Sequence, residues 1–514
     1  MRLDIDKVNL SDKNWTELAV EKVLEIFPKE TIYTCAAGIS PSGTVHFGNF
    51  RDVVTSYAVF EALKNKGFIT RCIFSWDNFD RLRKIPANAP KDFEKYIGMP
   101  LSKVPSPESG FESYADYFQK PFEEAMLSLG IELEYRYQTK EYESGRYDQF
   151  LFLALNKRKE VAKILLSFMT DKGKSEGGIV ESEYIEKYYP ISVYSRFTGK
   201  DVTQILGFDG ESTVEYKCIE TGNIEKVDLS KNRIAKLAWK IDWPMRWGIE
   251  KVVFEPGGHD HASPGSSYDV ATEIAQKIFN TKEPVFAEYK FVGIQGLGAK
   301  MSGSKGNAIS PAELLEIYEP KLLKWLYLRK RPDQAFSLAF DTEIYRQYDE
   351  FDKEHGGNSI PFKQAVALGQ MTQWNIEKIK KLCLDLKVNY DEHSIVIRIP
   401  KAKNWLLKYN QDELLVLRDS LNKEYLSTMN EKSIDQVKKL RTELENSQNS
   451  IEELEHLVYS IPKDPDLTDK ENAPAQKEFF KHVYNLLITK NQGPRLSTFL
   501  WAIDRKKVLE LLSI

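Results

Sequence analysis

Residues 31–67, TIYTCAAGISPSGTVHFGNFRDVVTSYAVFEALKNKG, decide the fold. The run 32–37 is apolar and β-prone. It meets a loop of small residues, Gly38, Ser40, Pro41, Ser42 and Gly43, and then His46-Phe47-Gly48-Asn49. Apolar residues then recur at Phe50, Val53, Val54, Tyr57, Phe60 and Leu63, which is helical spacing, and Gly67 suits the residue after a helix end. A second β-like run covers 68–76. Strand, loop, helix and strand in this order predict the opening of a doubly wound α/β domain with a Rossmann-type parallel sheet. Its loop lies where backbone N–H groups and a helix dipole favour anions. His46 and Asn49 add side-chain donors there.

The remainder of the 514 residues is too long for one core and predicts several domains. The net charge of −4 shows no global basic field, although a large chain can hold a local basic patch. Cys35, Cys72, Cys218 and Cys383 lie far apart, so neither a disulfide framework nor a metal-ligand pair is read from spacing. Without a signal peptide or a run of 18 apolar residues, the expectation is a cytoplasmic protein with no membrane association.

Further along, 77–86 reads DNFDRLRKIP, two carboxylates and three cations just past a predicted strand, where an open sheet binds ligands. A solvated charge run is the bland alternative. Residues 87–110 read as a loop or lid, and 114–130 and 145–170 as helices. Residues 180–235 alternate short β-like pieces (192–197, 214–218, 224–227) with turns. Trp239, Trp243 and Trp247 suit core anchors. The apolar run at 252–254 predicts a buried strand, followed by a polar loop with His259, Asp260 and His261 and then by a helix over 269–279. His259 and His261 lack further ligands at zinc spacing, so a polar binding loop fits better. A strand over 286–292 precedes Lys300-Met301-Ser302-Gly303-Ser304-Lys305, a loop suited to phosphates. Ser310, Pro311 and Glu313 form a helix-start signature. Residues 318–351 interleave aromatic and basic side chains, which suits nucleic acid or an ordinary solvated helix. From about 360 onward the pattern is helical, most clearly over 451–461, 477–489 and 505–512.

His46 to Asn49 and Lys300 to Ser304, taken together, resemble the paired HIGH and KMSKS signatures of class I aminoacyl-tRNA synthetases. With GISPSGTVHFGNFRDV, DNFDRLRKIP, KIDWPMRWG, HDHASPGSSYD, KMSGSKGNAISP and GPRLSTFL, the chain from Gly38 to Leu500 is similar to class I lysyl-tRNA synthetases of the archaeal type. That resemblance implies ATP-dependent attachment of L-lysine to tRNA(Lys) through a lysyl-adenylate, with ATP and Mg²⁺ and without a protein nucleophile. It implies catalytic roles for His46, Asn49, Lys300 and Ser302. ATP would be held by Pro41, Gly43, His46, Gly48, Asn49, Lys300, Met301, Ser302 and Ser304. For lysine, an ammonium calls for carboxylates or aromatic faces, which makes Asp77, Asp80, Trp239, His261 and Tyr268 candidates; the resemblance adds Gly38 and Ser40. The residues themselves do not separate lysine from arginine or glutamate. A glutamyl-type enzyme and a tRNA-binding paralogue without synthetase activity stand as the other readings.

Two departures matter. Gly303 stands where the family has its second lysine, and Lys305 is the candidate to supply that charge. In the β-rich insertion, relatives carry a four-cysteine zinc ribbon; here Cys218 remains, Thr221 stands at its partner's place, and Ser192 and Ser195 lie near the first pair. A ribbon-like fold with no zinc is the expectation. The expected organisation is a catalytic domain over 1–295 (with a helical insertion near 87–178 and the β-rich one near 180–235), a loop and stem-contact region over 296–358, and an α-helical anticodon-binding domain over 359–514. The resemblance also implies activation of the amino acid only with tRNA bound. A monomer is the simplest state.

Overall fold

The computed structural model describes residues 1–3, 14–85, 91–263, 265–296 and 309–514. The chain divides into two compact units, one formed by Met1–Leu315 with Pro320–Leu338, the other by Glu316–Glu319 with Ala339–Ile514. The stretch 296–358 of the expected middle region is therefore shared between them.

The first unit is built on a five-stranded sheet. Its strands are β1 (Tyr33–Ile39), β2 (Thr70–Trp76), β3 (Glu134–Tyr137), β9 (Val252–Gly258) and β10 (Val285–Tyr289), and β4 to β8 lie in the insertion described below. The order is β10-β9-β1-β2-β3 and every pairing is parallel. The chain leaves β1 toward β2 and β3, then returns to the other side of β1 with β9 and β10. That reversal puts a crevice beyond the carboxyl ends of β1 and β9. Strand β1 is buried over its first five residues and opens only at Gly38 and Ile39, as a sheet covered on both faces requires. Two expected boundaries shift: the strand read over 286–292 ends at Tyr289, and β3, an edge strand of sequence EYRY, carries no alternation to announce it.

Helix α1 (Trp15–Ile26) packs on α2 (Phe47–Asn65), with Trp15, Ala19, Val20, Val23 and Ile26 buried. Helix α2 crosses from β1 to β2. Its buried Arg51 donates to the carbonyl oxygens of Arg331 (2.7 Å), Pro332 (3.3 Å) and Gln334 (3.3 Å) and lies 4.9 Å over the Phe336 ring. It also donates to Tyr327 O (3.4 Å) in the last turn of the helix Pro320–Leu328, so a cation answers the negative end of that helix. Burial lowers the Arg51 pKa to about 10, which leaves it charged at neutral pH.

Between β3 and β9 run helices and a β-rich insertion. Strands β4 (Ile191–Val193) and β8 (Ala235–Leu237) pair with each other, and β5 (Thr203–Phe208), β6 (Thr213–Cys218) and β7 (Ile224–Asp228) form an antiparallel sheet. Two turns in it have the same construction. Gly199 N–H donates to Ser195 O (2.7 Å) and Gly222 N–H to Cys218 O (2.8 Å). Both glycines have positive φ, 73° and 76°, the left-handed backbone glycine permits. The two turns read Ser-x-x-Thr-Gly and Cys-x-x-Thr-Gly. Ser195 and Thr198 thus form the first turn, whereas Ser192 is a strand residue paired with Lys236. One thiol among hydroxyls is a poor zinc set, and among the described residues no three His, Cys, Asp or Glu side chains gather as a metal site.

The second unit is helical. Its longest helices are Glu392–Tyr409, Glu431–Asn446 and Asp469–Ile488. Capping boxes of Ser450 with Glu453 and Thr468 with Glu471 start two helices. The buried Arg398 ties the unit together, paired with Glu319 and, through both terminal nitrogens at 2.6 Å, with Asp352. Among the described residues, no helix is long and apolar enough to cross a membrane.

Candidate functional site

The crevice at the sheet's carboxyl edge holds two adjoining cavities. The inner one, of about 190 Å³, is lined by Gly38 from β1, Ser75 and Asp77 after β2, Glu255 and Gly257 from β9, and Tyr289 from β10. Asn49 and Asp52 of α2 and Trp239, Trp243, Arg246 and His261 complete it. The outer one, of about 710 Å³, is lined by the loop from Ser40 to His46, by Asp80 to Ile85, and again by Asn49, Asp77, Trp239 and His261. The loops after β1, β2 and β9 therefore meet at one edge. Lys300, Met301, Ser302, Ser304 and Lys305 lie outside the described residues.

The start of α2 is closed on itself. His46 Nδ1 accepts from Gly48 N–H (3.0 Å), and Asn49 Oδ1 accepts from His46 N–H (3.3 Å). Phe47 N–H donates to Ile309 O and Asn49 N–H to His46 O, both at 2.9 Å. The helix's first amides are thus spent within the protein, contrary to the expectation of free backbone donors. What remains for a ligand is side-chain chemistry: with Nδ1 accepting, the ring proton sits on Nε2, and Asn49 keeps its Nδ2 donors. Burial holds the His46 pKa below its ordinary value, so the ring is neutral at pH 7. Gly48 is required by that ring, because a Cβ there would lie 2.8 Å from His46 Cε1. Gly38 is required by the sheet, where a Cβ would lie 2.9 Å from Ser75 O. Ser40 and Gly43 line the outer cavity, while Pro41 is buried and lines neither.

The carboxylates sort into two kinds. Asp77 is paired with Arg246 (2.8 Å), which also holds Asp242 (3.0 Å), and Asp80 is paired with the buried Lys236. Both expected lysine-binding aspartates are therefore neutralised inside the protein. Asp52 and Glu255 have no ion-pair partner among the described residues. Asp52 accepts from Gly38 N–H (3.4 Å) and from the Tyr289 hydroxyl, and Glu255 accepts from Trp247 Nε1 (2.6 Å). Burial raises both carboxyl pKa values, and the repulsion of Glu255 raises Asp52 further. Sequence reading passed over this pair. Asp52 looks like an ordinary polar position on an amphipathic helix, and Glu255 lies inside a strand.

The aromatic wall follows from i, i+4 spacing on the helix Trp239–Glu250. Trp239 and Trp243 stack (5.1 Å, 19°) and face the cavity, while Trp247 is core and orients Glu255. The His261 ring lies 5.4 Å from Trp239, and its buried Nδ1 has no hydrogen-bond partner among the described residues. Tyr268 is elsewhere. It is 2 % exposed, stacks on Phe286 (4.3 Å) and donates to Pro284 O (2.9 Å), so it packs the sheet and lines neither cavity. Tyr289 takes the place expected for it.

A family model described as tRNA synthetases class I (K) matches residues 13–368. A lysine–tRNA ligase of Pyrococcus horikoshii is 33% identical over 98% of this chain and 99% of its own length. Lysine–tRNA ligases of Streptomyces coelicolor (34% identical; 93% of each chain) and Treponema pallidum (31%; 98% of each) are similar at comparable extent. A glutamate–tRNA ligase structure from Elizabethkingia meningosepticum aligns with 94% of this chain and 99% of its own at 11% identity and a TM-score of 0.47. The site at the sheet's switch point and the match over residues 13–368 agree: this chain belongs to the class I tRNA synthetases.

Proposed function

We propose that the protein is a lysine–tRNA ligase, which activates L-lysine with ATP and Mg²⁺ and transfers it to tRNA(Lys). The observation that carries the amino-acid assignment is the Asp52 and Glu255 pair, two desolvated carboxylates in the inner cavity that make no ion pair among the described residues, because the cavity's Arg246 is already paired with Asp77 and Asp242. Such a pair favours a ligand that brings a positive charge, and the Trp239 and Trp243 faces suit an ammonium and its methylene stem. A glutamate side chain would add a third negative charge there, which counts against the glutamyl reading. The names of the full-length relatives support the same choice.

In this reading the lysine carboxylate oxygen attacks the α-phosphorus of ATP, and the bond to the pyrophosphate oxygen breaks with its electron pair leaving on pyrophosphate. A hydroxyl of the tRNA's terminal adenosine then attacks the acyl carbon, the acyl–phosphate bond breaks with its electron pair leaving on AMP, and the hydroxyl proton passes to the departing AMP phosphate. The neutral His46 donates from Nε2 to the α-phosphate oxygen without first losing charge, and Asn49 Nδ2 assists. His261, lacking a partner at Nδ1, orients the substrate beside Trp239. Lys300 and Ser302, with Met301 and Ser304, are assigned to the triphosphate, and Lys305 to the charge missing at Gly303. The first unit is assigned to catalysis and the helical second unit to the tRNA anticodon.

The test is charging of total tRNA with labelled lysine, glutamate and arginine in parallel, with ATP–pyrophosphate exchange measured with and without tRNA. The expected result is incorporation of lysine alone. Charging with glutamate, or binding of tRNA with no charging, would overturn the assignment.

A further inference from the structure

The segment 77–85 contains more cations than the lysine pocket uses. Three acidic side chains in or beside it are already paired: Asp77 with Arg246, Asp80 with Lys236, and Asp201 with Arg81 at 3.3 Å. Arg83 and Lys84 remain. Both line the outer cavity, across from the Ser42 to His46 loop, and both are exposed. Arg83 feels Asp201 through space, but neither residue makes a hydrogen bond or ion pair among the described residues. Two cations without an ion pair among the described residues thus face a cavity whose other lining donors, His46, Asn49, Ser40, Ser42 and Thr44, are neutral, and whose Arg81 is paired with Asp201.

Their position is held from behind. Leu82, 1 % exposed, packs with Phe93, Leu101 and Tyr114. Its N–H donates to Met99 O (2.7 Å), and its carbonyl accepts from Gly98 N–H (2.9 Å). Leu101 N–H donates to Asp80 O (2.8 Å) one step earlier. The backbone leading into the two cations is therefore anchored at Asp80 and Leu82 before any ligand arrives, which lowers the cost of ordering them. The spent amides of α2 sharpen the point, because the helix start cannot supply the donors for a polyanion.

We propose that Arg83 and Lys84 form a polyphosphate clamp, which holds the β- and γ-phosphates of ATP and then the departing pyrophosphate. The clamp rests on reading the outer cavity as the ATP cleft. It acts on the step already described: as the bond from the α-phosphorus breaks, the negative charge gathering on the leaving pyrophosphate is met by two fixed positive charges. Arg83 offers a planar fork and Lys84 a point charge, the usual division of labour around phosphates.

The test compares ATP, AMP and inorganic pyrophosphate as probes on the full chain, by calorimetric binding, with Arg83→Gln/Lys84→Gln and Arg83→Lys beside the wild type. The double variant should weaken ATP and pyrophosphate about tenfold or more, leave AMP within about twofold, and flatten the salt dependence of ATP binding. Arg83→Lys, which keeps the charge, should retain most of the wild-type affinity. A merely structural role would weaken AMP as well. Unchanged ATP and pyrophosphate affinity in the double variant, with the wild type binding ATP, overturns the clamp alone. A wild type that binds neither ATP nor AMP overturns the cleft reading and the clamp with it.

Discussion

Asp52→Asn separates charge from shape at the inner cavity. The amide keeps the volume of the carboxylate and an oxygen to accept from Gly38 N–H, so β1 and α2 keep their contact. What is lost is one of two negative charges facing the proposed ammonium. Removing one partner of a buried, hydrogen-bonded charge pair costs about 2–4 kcal/mol, which is roughly 30- to 1,000-fold in kcat/KM for lysine. The KM for ATP should stay within about twofold. The effect on stability has the opposite sign. Asp52 is desolvated and repelled by Glu255, so its folded pKa lies above its unfolded one and its charge opposes folding at neutral pH. Asn removes that opposition, and the empty variant should be more stable by roughly 1 kcal/mol. The assays are lysine-dependent pyrophosphate exchange with tRNA present and thermal unfolding without substrates. A variant whose kcat/KM for lysine stays within about threefold of wild type would refute the acid-pair reasoning, and so would equal losses for lysine and ATP.

Three further predictions follow from the same site and its insertion. Burial raises both acids and an ammonium favours their ionised form; as pH drops through the raised values kcat/KM for lysine should fall and lysine binding should release protons, and Asp52→Asn should lose most of that release, as read by calorimetry in buffers of different ionisation enthalpy. Gly48→Ala puts a Cβ 2.8 Å from His46 Cε1; the displaced ring should cost about 1 kcal/mol of stability through the lost cap and about 100-fold in kcat, and an unchanged kcat would contradict the assigned role of His46. In the insertion, wild-type protein should carry no stoichiometric zinc by metal analysis, whereas Ser195→Cys/Thr198→Cys/Thr221→Cys should bind about one equivalent; zinc in the wild type would show the hydroxyl reading wrong.

Much of the fold was legible because its signals are local. The strand–loop–helix opening, the helix after His259 and His261, and the helix start at Ser310, Pro311 and Glu313 each follow from residues within a few positions of one another. Edge strand β3 was not legible, since a short, charged edge carries little hydrophobic pattern. The site divides in the same way. Gly38, Ser40, Gly43, His46, Asn49, Trp239 and His261 could be placed at the crevice, because each lies in or beside a loop at a strand's end or on a marked helix face. Asp77 and Asp80 reach it too, but their charges are taken by Arg246 and Lys236, more than 150 positions away in sequence, which no local pattern reports. Tyr268 and Tyr289 flank one crossover, and only the packing of Tyr268 on Phe286 shows which of them faces the cavity.

The opposition of Asp52 and Glu255 also bears on how the sheet is held. Asp52 belongs to the helix that leaves β1, and Glu255 lies in β9, on the far side of the point where the strand order reverses. Without a ligand, ionising both acids sets like charges against each other at the seam between the two halves of the sheet. A bound ammonium turns that repulsion into a bridge, so the substrate doubles as a fastener, and occupancy of the pocket and cohesion of the domain rise together with free lysine.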